Sequence, residues 1–291
     1  MNNLILIRGG GDLASGIAYR LHKVGLKVII AELPQPLSVR RKVSFSEAVY
    51  DGEITIEGLT GRLVEPMEIL DTLARGEIPV IVDPNLDILR PPTPNSQFPT
   101  PNSRFPTPNS QLPTPNFHIP ILVDARLTKR PPSELAPVKL SIGLGPGFTA
   151  PKDCHAVIET NRGHRLGRVY WHGSAQADTG IPERVLDVRE ERVLRAPADG
   201  ILVAHGEIGD HFDKGERIAE VNGEPILAPF DGSLRGLIRP GLSVSKGLKV
   251  GDLDPRDDPR YCTLISDKSL ALGGSVLEAI LSQAELRKQL W

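Results

Sequence analysis

NLILIRGGGDLASGIAYRLHKVGLKVIIAEL, residues 3–33, is the stretch that decides the fold. An apolar run from Leu4 to Ile7 predicts a strand that ends in a tight turn of three glycines. A helix with apolar positions at helical spacing follows, and Gly25 ends it. The next apolar run, Val28 to Ala31, predicts a second strand that is closed by Glu32. This order of elements predicts an α/β domain with a Rossmann-like, mostly parallel sheet.

The glycine turn also matches a dinucleotide-binding fingerprint, in which a pyrophosphate lies on the amino end of the helix. Gly9, Gly11 and Ala14 fit the pattern G-x-G-x-x-A, and an acidic residue closes the second strand, where it is able to reach a ribose hydroxyl. We therefore predict a bound nucleotide of the NAD(P) or molybdopterin type; a tight βα turn without a cofactor is the alternative. The predicted contacts of this turn are Gly9, Gly11, Asp12, Ala14, Gly16 and Glu32.

A basic cluster, residues 40–42, lies close after the second strand and consists of two arginines and a lysine. Such a cluster is able to hold a phosphate or an anionic substrate, and a solvated surface turn is the alternative. Beyond it, the pattern predicts a helix over residues 66–74 and a strand over residues 79–82 that ends in Asp83.

A seven-residue repeat rich in Pro, Asn and Ser interrupts the α/β domain, which we place at residues 1–190. The repeat has no helical or strand periodicity, so we predict a disordered insertion over residues 91–117. The segments on either side of it both read as buried strands that end in an aspartate. The insertion is therefore expected to interrupt a connection within one sheet and not to separate two domains.

Charged residues follow the strand after this insertion. Asp124 ends the strand, and Arg126 comes two residues later. Ligands of open α/β sheets bind beyond the carboxyl ends of the strands, so we include both residues in the predicted site. The alternative is an aspartate that caps the following turn.

Residues 138–164 combine glycines with polar and reactive groups after another apolar strand. A second phosphate-sized loop is predicted at Gly143, Gly145 and Gly147. For Cys154 three roles stay open: a nucleophile with His155, His164 or His172 as its base, a metal ligand together with His164 and His172, or a small buried residue. The spacings match no standard metal site, so no metal is predicted.

Residues 195–258 contain an internal duplication at a constant offset of 32 residues, with AP-x-D-G beginning each half at Ala196 and Ala228. Each half reads as short strands with glycine turns, which predicts a small β-sandwich with approximate twofold symmetry over residues 191–258. The unit resembles the biotinyl/lipoyl carrier domain, a barrel-sandwich. Because the segment that joins the halves, residues 220–225, contains no lysine, the resemblance implies neither biotin nor lipoate.

The tail, residues 259–291, is expected to add a strand and a helix that pack on the α/β domain, with the helix beginning after Gly273 and Gly274.

Composition restricts the class of protein and of partner. The formal net charge of −2 gives no reason to expect a nucleic acid or an anionic membrane. The apolar run at the amino terminus lacks a basic flank and is too short for a signal peptide, and no run approaches the ~20 residues that span a bilayer. Two distant cysteines do not make a disulfide framework. These features predict a cytoplasmic protein.

Four stretches together resemble the YqeB family: residues 7–58, VDAR at 123–126, GLGPGFTAPKDCHAVIETNRGHRLGRVYW at 143–171 and GLKVGDLDPR at 247–256. The family is associated with selenium-dependent molybdenum hydroxylases of the xanthine dehydrogenase type. The resemblance implies an accessory or maturation factor that has such a hydroxylase as its partner. An NAD(P)-dependent oxidoreductase acting on a small metabolite and a non-enzymatic adaptor are the alternatives.

Overall fold

The computed structural model describes residues 4–90, 117–130, 132, 135–178, 185–186 and 191–290. Within these ranges the chain forms a large, mostly parallel sheet with helices, and two smaller antiparallel sheets. The insertion predicted over residues 91–117 lies outside the described residues, apart from Phe117.

The first eleven strands belong to the α/β part of the molecule. They are β1 (Leu4–Arg8), β2 (Lys27–Glu32), β3 (Glu53–Ile56), β4 (Leu59–Leu63), β5 (Ile78–Val82), β6 (Ile121–Asp124), β7 (Leu140–Leu144), β8 (Thr149–Ala150), β9 (Ala156–Ile158), β10 (Val169–Tyr170) and β11 (Gly173–Ser174). Nine of them form one sheet in the order β10-β9-β7-β6-β1-β2-β5-β4-β3, and β8 pairs with β11 in a separate ribbon. All pairs from β9 to β4 are parallel, and only the two edge strands are antiparallel.

Five helices accompany the sheets: α1 (Asp12–Lys23), α2 (Ala48–Asp51), α3 (Ile69–Ala74), α4 (Asp267–Leu281) and α5 (Ala284–Leu290). The central strands are almost entirely apolar because helices cover both faces of the sheet. Along β1, Ile5 and Ile7 pack on the side of α1 and α4, while Leu4 and Leu6 pack on the side of α3. The predicted strand at 79–82 is confirmed as part of β5, and the predicted helix at 66–74 as a 3-10 turn, Pro66–Glu68, followed by α3.

Helices α1 and α4 lie against each other at a very short separation, which Gly16 makes possible. A Cβ atom at Gly16 would overlap the side chain of Ser269 and would lie 2.8 Å from its carbonyl carbon. On the other side of this contact, a Cβ atom at Gly273 would lie 3.0 Å from the carbonyl oxygen of Gly16. Gly16, predicted as a nucleotide contact, is therefore a helix-packing residue that α4 covers.

The remaining strands form the two antiparallel sheets. They are β12 (Val193–Arg195), β13 (Gly200–Ala204), β14 (His211–Phe212), β15 (Arg217–Val221), β16 (Glu224–Leu227), β17 (Gly232–Leu237), β18 (Ser243–Val244) and β19 (Lys249–Asp254). One sheet has the order β12-β19-β17-β14 and the other β16-β15-β13-β18. The 32-residue offset maps each strand of one sheet onto a strand of the other, so the duplication is structural as well as sequential.

Each of the two antiparallel sheets contains strands from both halves of the duplication. β14, from the first half, pairs with β17 of the second, and β18, from the second half, pairs with β13 of the first. Matching hydrogen bonds repeat at the same offset: the backbone N–H of Lys214 donates to Asp231, and that of Lys246 donates to Asp199, each at 2.8 Å. Lys214 and Lys246 thus lie in equivalent turns that these aspartates fix.

The basic cluster at residues 40–42 joins the α/β part to the antiparallel unit and its tail. Arg40 donates to the carbonyl oxygens of Tyr261 and Leu264, and Arg41 donates to that of Leu237 at 2.7 Å. Lys42 donates to the carbonyl oxygen of Ile208. The solvated-turn interpretation does not describe these contacts, and the anion-site interpretation stays a prediction.

The tail differs from its prediction in two respects. Between residues 259 and 290 the structure contains no strand; a 3-10 turn, Pro259–Cys262, precedes the helices. Helix α4 begins at Asp267, because the Ser266 side chain caps it by accepting from the Ser269 N–H, and it runs through both glycines. The prediction that the helix begins after Gly274 is wrong because glycine is tolerated where two helices pack closely.

Replacing either of two helical glycines by alanine should give effects of opposite sign. Gly16→Ala is expected to lower the free energy of unfolding by about 1–3 kcal/mol, since the added methyl group overlaps α4. Gly274→Ala is the matched control: a Cβ there meets nothing within 4 Å, so the variant should gain about 0.5–1 kcal/mol of helix propensity. Urea unfolding followed by circular dichroism measures both. Equal effects would contradict the proposed packing role of Gly16.

Candidate functional site

A cavity of about 520 Å³, the first chamber, opens at the carboxyl ends of the central parallel strands. Its wall includes residues that directly follow β1, β2, β5 and β6, among them Gly9, Leu33, Asp83 and Ala125. Strands β2 and β5 are added on one side of β1, and β6 and β7 on the other, so the strand order reverses between β1 and β6. Open α/β sheets bind ligands at the carboxyl ends of the strands at such a reversal.

The amino end of α1 contributes the floor of the first chamber. Gly11 is the N-cap residue and has no side chain to accept the free N–H groups of the first turn, and Asp12, Leu13 and Ala14 line the chamber. The partial positive charge of a helix amino end favours an anionic group at this position. The predicted contacts Gly9, Gly11, Asp12 and Ala14 are thus brought together here.

Glu32 ties the glycine turn to the end of β2. Its carboxylate accepts hydrogen bonds from the backbone N–H of Gly10 at 2.5 Å and of Leu33 at 2.8 Å. Burial raises the pKa of this carboxyl group, and the two backbone hydrogen bonds act in the opposite direction. Gly10, which the motif leaves open, is required by packing, because a Cβ there would lie 2.9 Å from the backbone nitrogen of Ser46. Glu32 lines the chamber with both of its carboxylate oxygens already engaged.

Two arginines and a buried aspartate occupy the ends of β1 and β6. Arg8 and Asp124 face each other in register across these strands. Arg126 donates to Asp124 with its Nε and Nη2 atoms at 3.0 and 2.6 Å, and Arg8 Nη1 lies 4.0 Å from the same carboxylate. Arg8 and Arg126 line the first chamber, whereas Asp124 lies behind them and positions Arg126. Asp124 therefore positions Arg126 and does not itself line the chamber.

A second chamber of about 830 Å³ lies between the α/β part, the antiparallel unit and the amino end of α4. Asp12, Leu13, Arg40 and Lys249 line both chambers, so the two are adjacent. Arg40 comes from the segment after β2, and Lys249 begins β19 in the second half of the duplication.

The glycines at 143–147 serve packing. A Cβ at Gly143 would overlap the ring of Phe148. Gly145 and Gly147 have positive φ values of 74° and 103°, and a Cβ at either would lie 2.5 Å from the atoms of a neighbouring residue. None of the three lines either chamber. Packing against other protein atoms therefore accounts for these three glycines, and a second phosphate loop here stays a prediction.

Cys154 is a core residue. Its side chain is 2% exposed and packs with Phe148, Ala150 and Val157 in a small apolar cluster. Burial raises the pKa of the Cys154 thiol to about 11, which is the direction opposite to that of an activated nucleophile. Of the three roles left open by the sequence, the structure supports the buried residue.

The two histidines do not reach the chambers either. His155 precedes β9, and its Nδ1 accepts a hydrogen bond from the Ser141 N–H at 2.9 Å. This contact lies at the amino ends of β7 and β9, on the sheet edge opposite Gly9. His164 is an exposed loop residue that lines neither chamber. Cys154, His155 and His164 therefore do not form a reactive group with the glycine turn.

The residues that sequence analysis missed in the site are mainly cationic. Arg8 directly precedes the glycine turn, so the sequence places it at the carboxyl end of β1, beside the predicted ligand. Arg40 belongs to the basic cluster that sequence analysis proposed as an anion site, whereas Lys249 was missed. The two residues are more than 200 positions apart and line the same chambers only because the antiparallel unit packs on the sheet.

The fold and these chambers define an α/β protein with a cationic cleft at the carboxyl edge of its parallel sheet. The chain belongs to the YqeB family. It is 43% identical over 284 residues to the uncharacterized protein YqeB of Escherichia coli (strain K12), which covers 96% of this chain. The chain spans about half, 48%, of the length of that relative.

Other comparisons add little. No family model matches the chain. A solved structure of an aspartoacylase family protein from Mesorhizobium loti is similar over 22% of each chain, at 18% identity and a TM-score of 0.20. A similarity this low carries no argument about fold or function.

We searched the described part of the chain for membrane-spanning helices and for clusters of metal-binding side chains. There, no helix combines the length and apolar character needed to cross a membrane. In the same residues, no three His, Cys, Asp or Glu side chains come together as a metal site would require.

Cys154 is expected to be chemically inert in the folded protein. Because its thiol is buried and its pKa is raised to about 11, iodoacetamide at pH 8 should label it only after denaturation. Peptide mass spectrometry of native and urea-treated protein checks this. Cys262, also buried, should behave in the same way and serves as an internal comparison; rapid labelling of Cys154 alone would restore it as a reactive group.

Proposed function

We propose that the chain binds a phosphate-bearing nucleotide in the first chamber, on a Rossmann-like sheet. The observation that carries this proposal is the amino end of α1, which has no side-chain cap and follows β1, the strand at which the strand order of the sheet reverses. Arg8 and Arg126 line the same chamber. A helix amino end and arginine side chains are the usual protein partners of phosphate groups. The paired halves of residues 191–258 are, in the same proposal, a barrel-sandwich of the biotinyl/lipoyl type without a carrier lysine.

We further propose that the bound nucleotide serves an accessory role for a selenium-dependent molybdenum hydroxylase, as the family resemblance implies. The composition of the first chamber supports a binding role over an oxidoreductase. Among the described residues that line it there is no histidine, cysteine or tyrosine that would transfer a proton. The proton donors that the sequence offers for the oxidoreductase alternative, His155 and His164, line neither chamber.

Gly11→Asp tests nucleotide binding without weakening the fold. The backbone of Gly11 has φ −65° and ψ −178°, which suits any residue, and a Cβ there meets only Ser38 Oγ, at 3.8 Å. Aspartate is a favourable N-cap residue, so the variant should be as stable as the parent or more stable. Its negative charge stands where the phosphate would bind, so nucleotide affinity should fall by about tenfold or more.

Calorimetric titration with NAD, NADP and ATP measures this effect, and Gly11→Ser is the matched control. Serine also caps the helix but carries no charge, so it should weaken binding much less than aspartate does. If no nucleotide binds the parent protein, or if serine and aspartate act equally, phosphate binding at α1 is refuted.

The accessory role has a separate test. Producing a molybdenum hydroxylase of the xanthine dehydrogenase type with and without this chain should show higher hydroxylase activity when the chain is present. Co-production with Gly11→Asp should lose that increase if nucleotide binding is needed. Equal hydroxylase activity in all three preparations would argue against an accessory role while leaving the binding result intact.

A further inference from the structure

We infer that the second chamber is a separate binding site for a phosphate-type polyanion, held by cations from both parts of the molecule. This inference goes beyond the nucleotide site at α1 and does not depend on it. It rests on the charge of the chamber wall, on a buried guanidinium that faces it and on the helix end that opens into it.

The wall of the second chamber has an excess of positive charge. Among the described residues it contains seven arginine and lysine side chains but only four aspartates. Three of these aspartates lie within 3.6 Å of an arginine of the same wall: Asp12 near Arg40, Asp252 near Arg192, and Asp267 near Arg162. Cations in a partly enclosed cleft concentrate the positive potential, which attracts an anion.

Arg40 is the central element of this wall. Its side chain is 8% exposed, and its Nη2 donates to the carbonyl oxygens of Tyr261 and Leu264. Its Nε and Nη1 atoms are buried without a hydrogen-bond acceptor in the part of the chain that is described, and Nη1 lies 3.6 Å from Asp12 Oδ2. Burial, together with the nearby charge of Arg235, lowers the pKa of Arg40. A buried cation with unused donors is stabilised by an anion beside it.

Three further groups line the same space. Lys249 is exposed and faces both chambers, and no described residue forms an ion pair with it. Arg256 lies over the ring of Tyr261, 4.4 Å from its centroid, and Asp254 fixes its guanidinium with contacts of 2.9 and 2.5 Å. The first turn of α4, Ser266 to Lys268, opens into the chamber and adds the positive end of a helix dipole.

A phosphate or pyrophosphate group suits this wall better than a single carboxylate. Arginine forks and a mobile lysine on several sides provide donors in many directions, as the oxygens of a phosphate require. The chambers adjoin at Arg40 and Lys249. The experiment below therefore distinguishes a ligand that extends from the first chamber from a separate phosphorylated molecule.

Titration with inorganic pyrophosphate at fixed ionic strength, in the Gly11→Asp background, tests the second chamber by itself. We expect saturable binding to persist in that background, because the changed residue lines only the first chamber. Adding Lys249→Ala should raise the Kd by about tenfold, and adding Arg256→Gln should raise it as well. Lys246→Ala, an exposed lysine three residues away that lines neither chamber, should leave it unchanged.

Thermal melting of each variant verifies folding, and Arg256→Gln is the decisive one because Arg256 lines only the second chamber, whereas Lys249 lines both. Loss of pyrophosphate binding through Gly11→Asp alone, or an unchanged Kd in Arg256→Gln, would overturn the second site. If nucleotides fail to bind the parent while pyrophosphate binding responds to Arg256→Gln, only the proposed function is refuted. Once that response is established, competition by NAD or NADP in the parent indicates one extended ligand, and simultaneous binding indicates two.

Discussion

The insertion of Arg40 between the two parts of the molecule is the contact on which the rest of the structure depends. Its guanidinium holds the chain just before α4 by two carbonyl oxygens, while its neighbours Arg41 and Lys42 hold the antiparallel unit in the same way. These bonds fix β19 and α4 beside the carboxyl edge of the parallel sheet. Without them, the second chamber would have no wall opposite Asp12. The second chamber therefore exists only where the antiparallel unit is packed on the α/β part.

This arrangement also assigns different duties to residues that look alike in the sequence. Glycines at 9 and 11 line the first chamber, whereas those at 16, 143, 145 and 147 leave space for other protein atoms. Aspartates follow the same division. Asp83 accepts the N–H groups of Asp87 and Ile88 and closes a turn, and Asp124 orients an arginine. Asp254 orients Arg256 in the same way as Asp124 orients Arg126.

Much of the fold follows from local patterns, and much of the site does not. The apolar runs of β1, β2 and β7 have both faces covered, so their periodicity identifies them without tertiary information. The 32-residue duplication is detectable in the sequence because equivalent turns in the two halves require the same types of residue, such as Asp199 and Asp231. Cys154 and His155 were predicted as reactive groups of the site because residue type alone does not show where in the sheet a residue lies or whether it is buried. Arg40 and Lys249 meet through packing between distant segments, which no spacing in the chain encodes.

The exchange of β14 and β18 between the duplicated halves has a consequence for how such a unit is assembled. Each sheet takes two strands from each half, so a half of about 32 residues by itself has open edges and an uncovered apolar face. Only a second half completes it. A single ancestral copy would thus have been stable only as an intertwined dimer, and joining two copies in one chain converts that association into an intramolecular one that no longer depends on protein concentration.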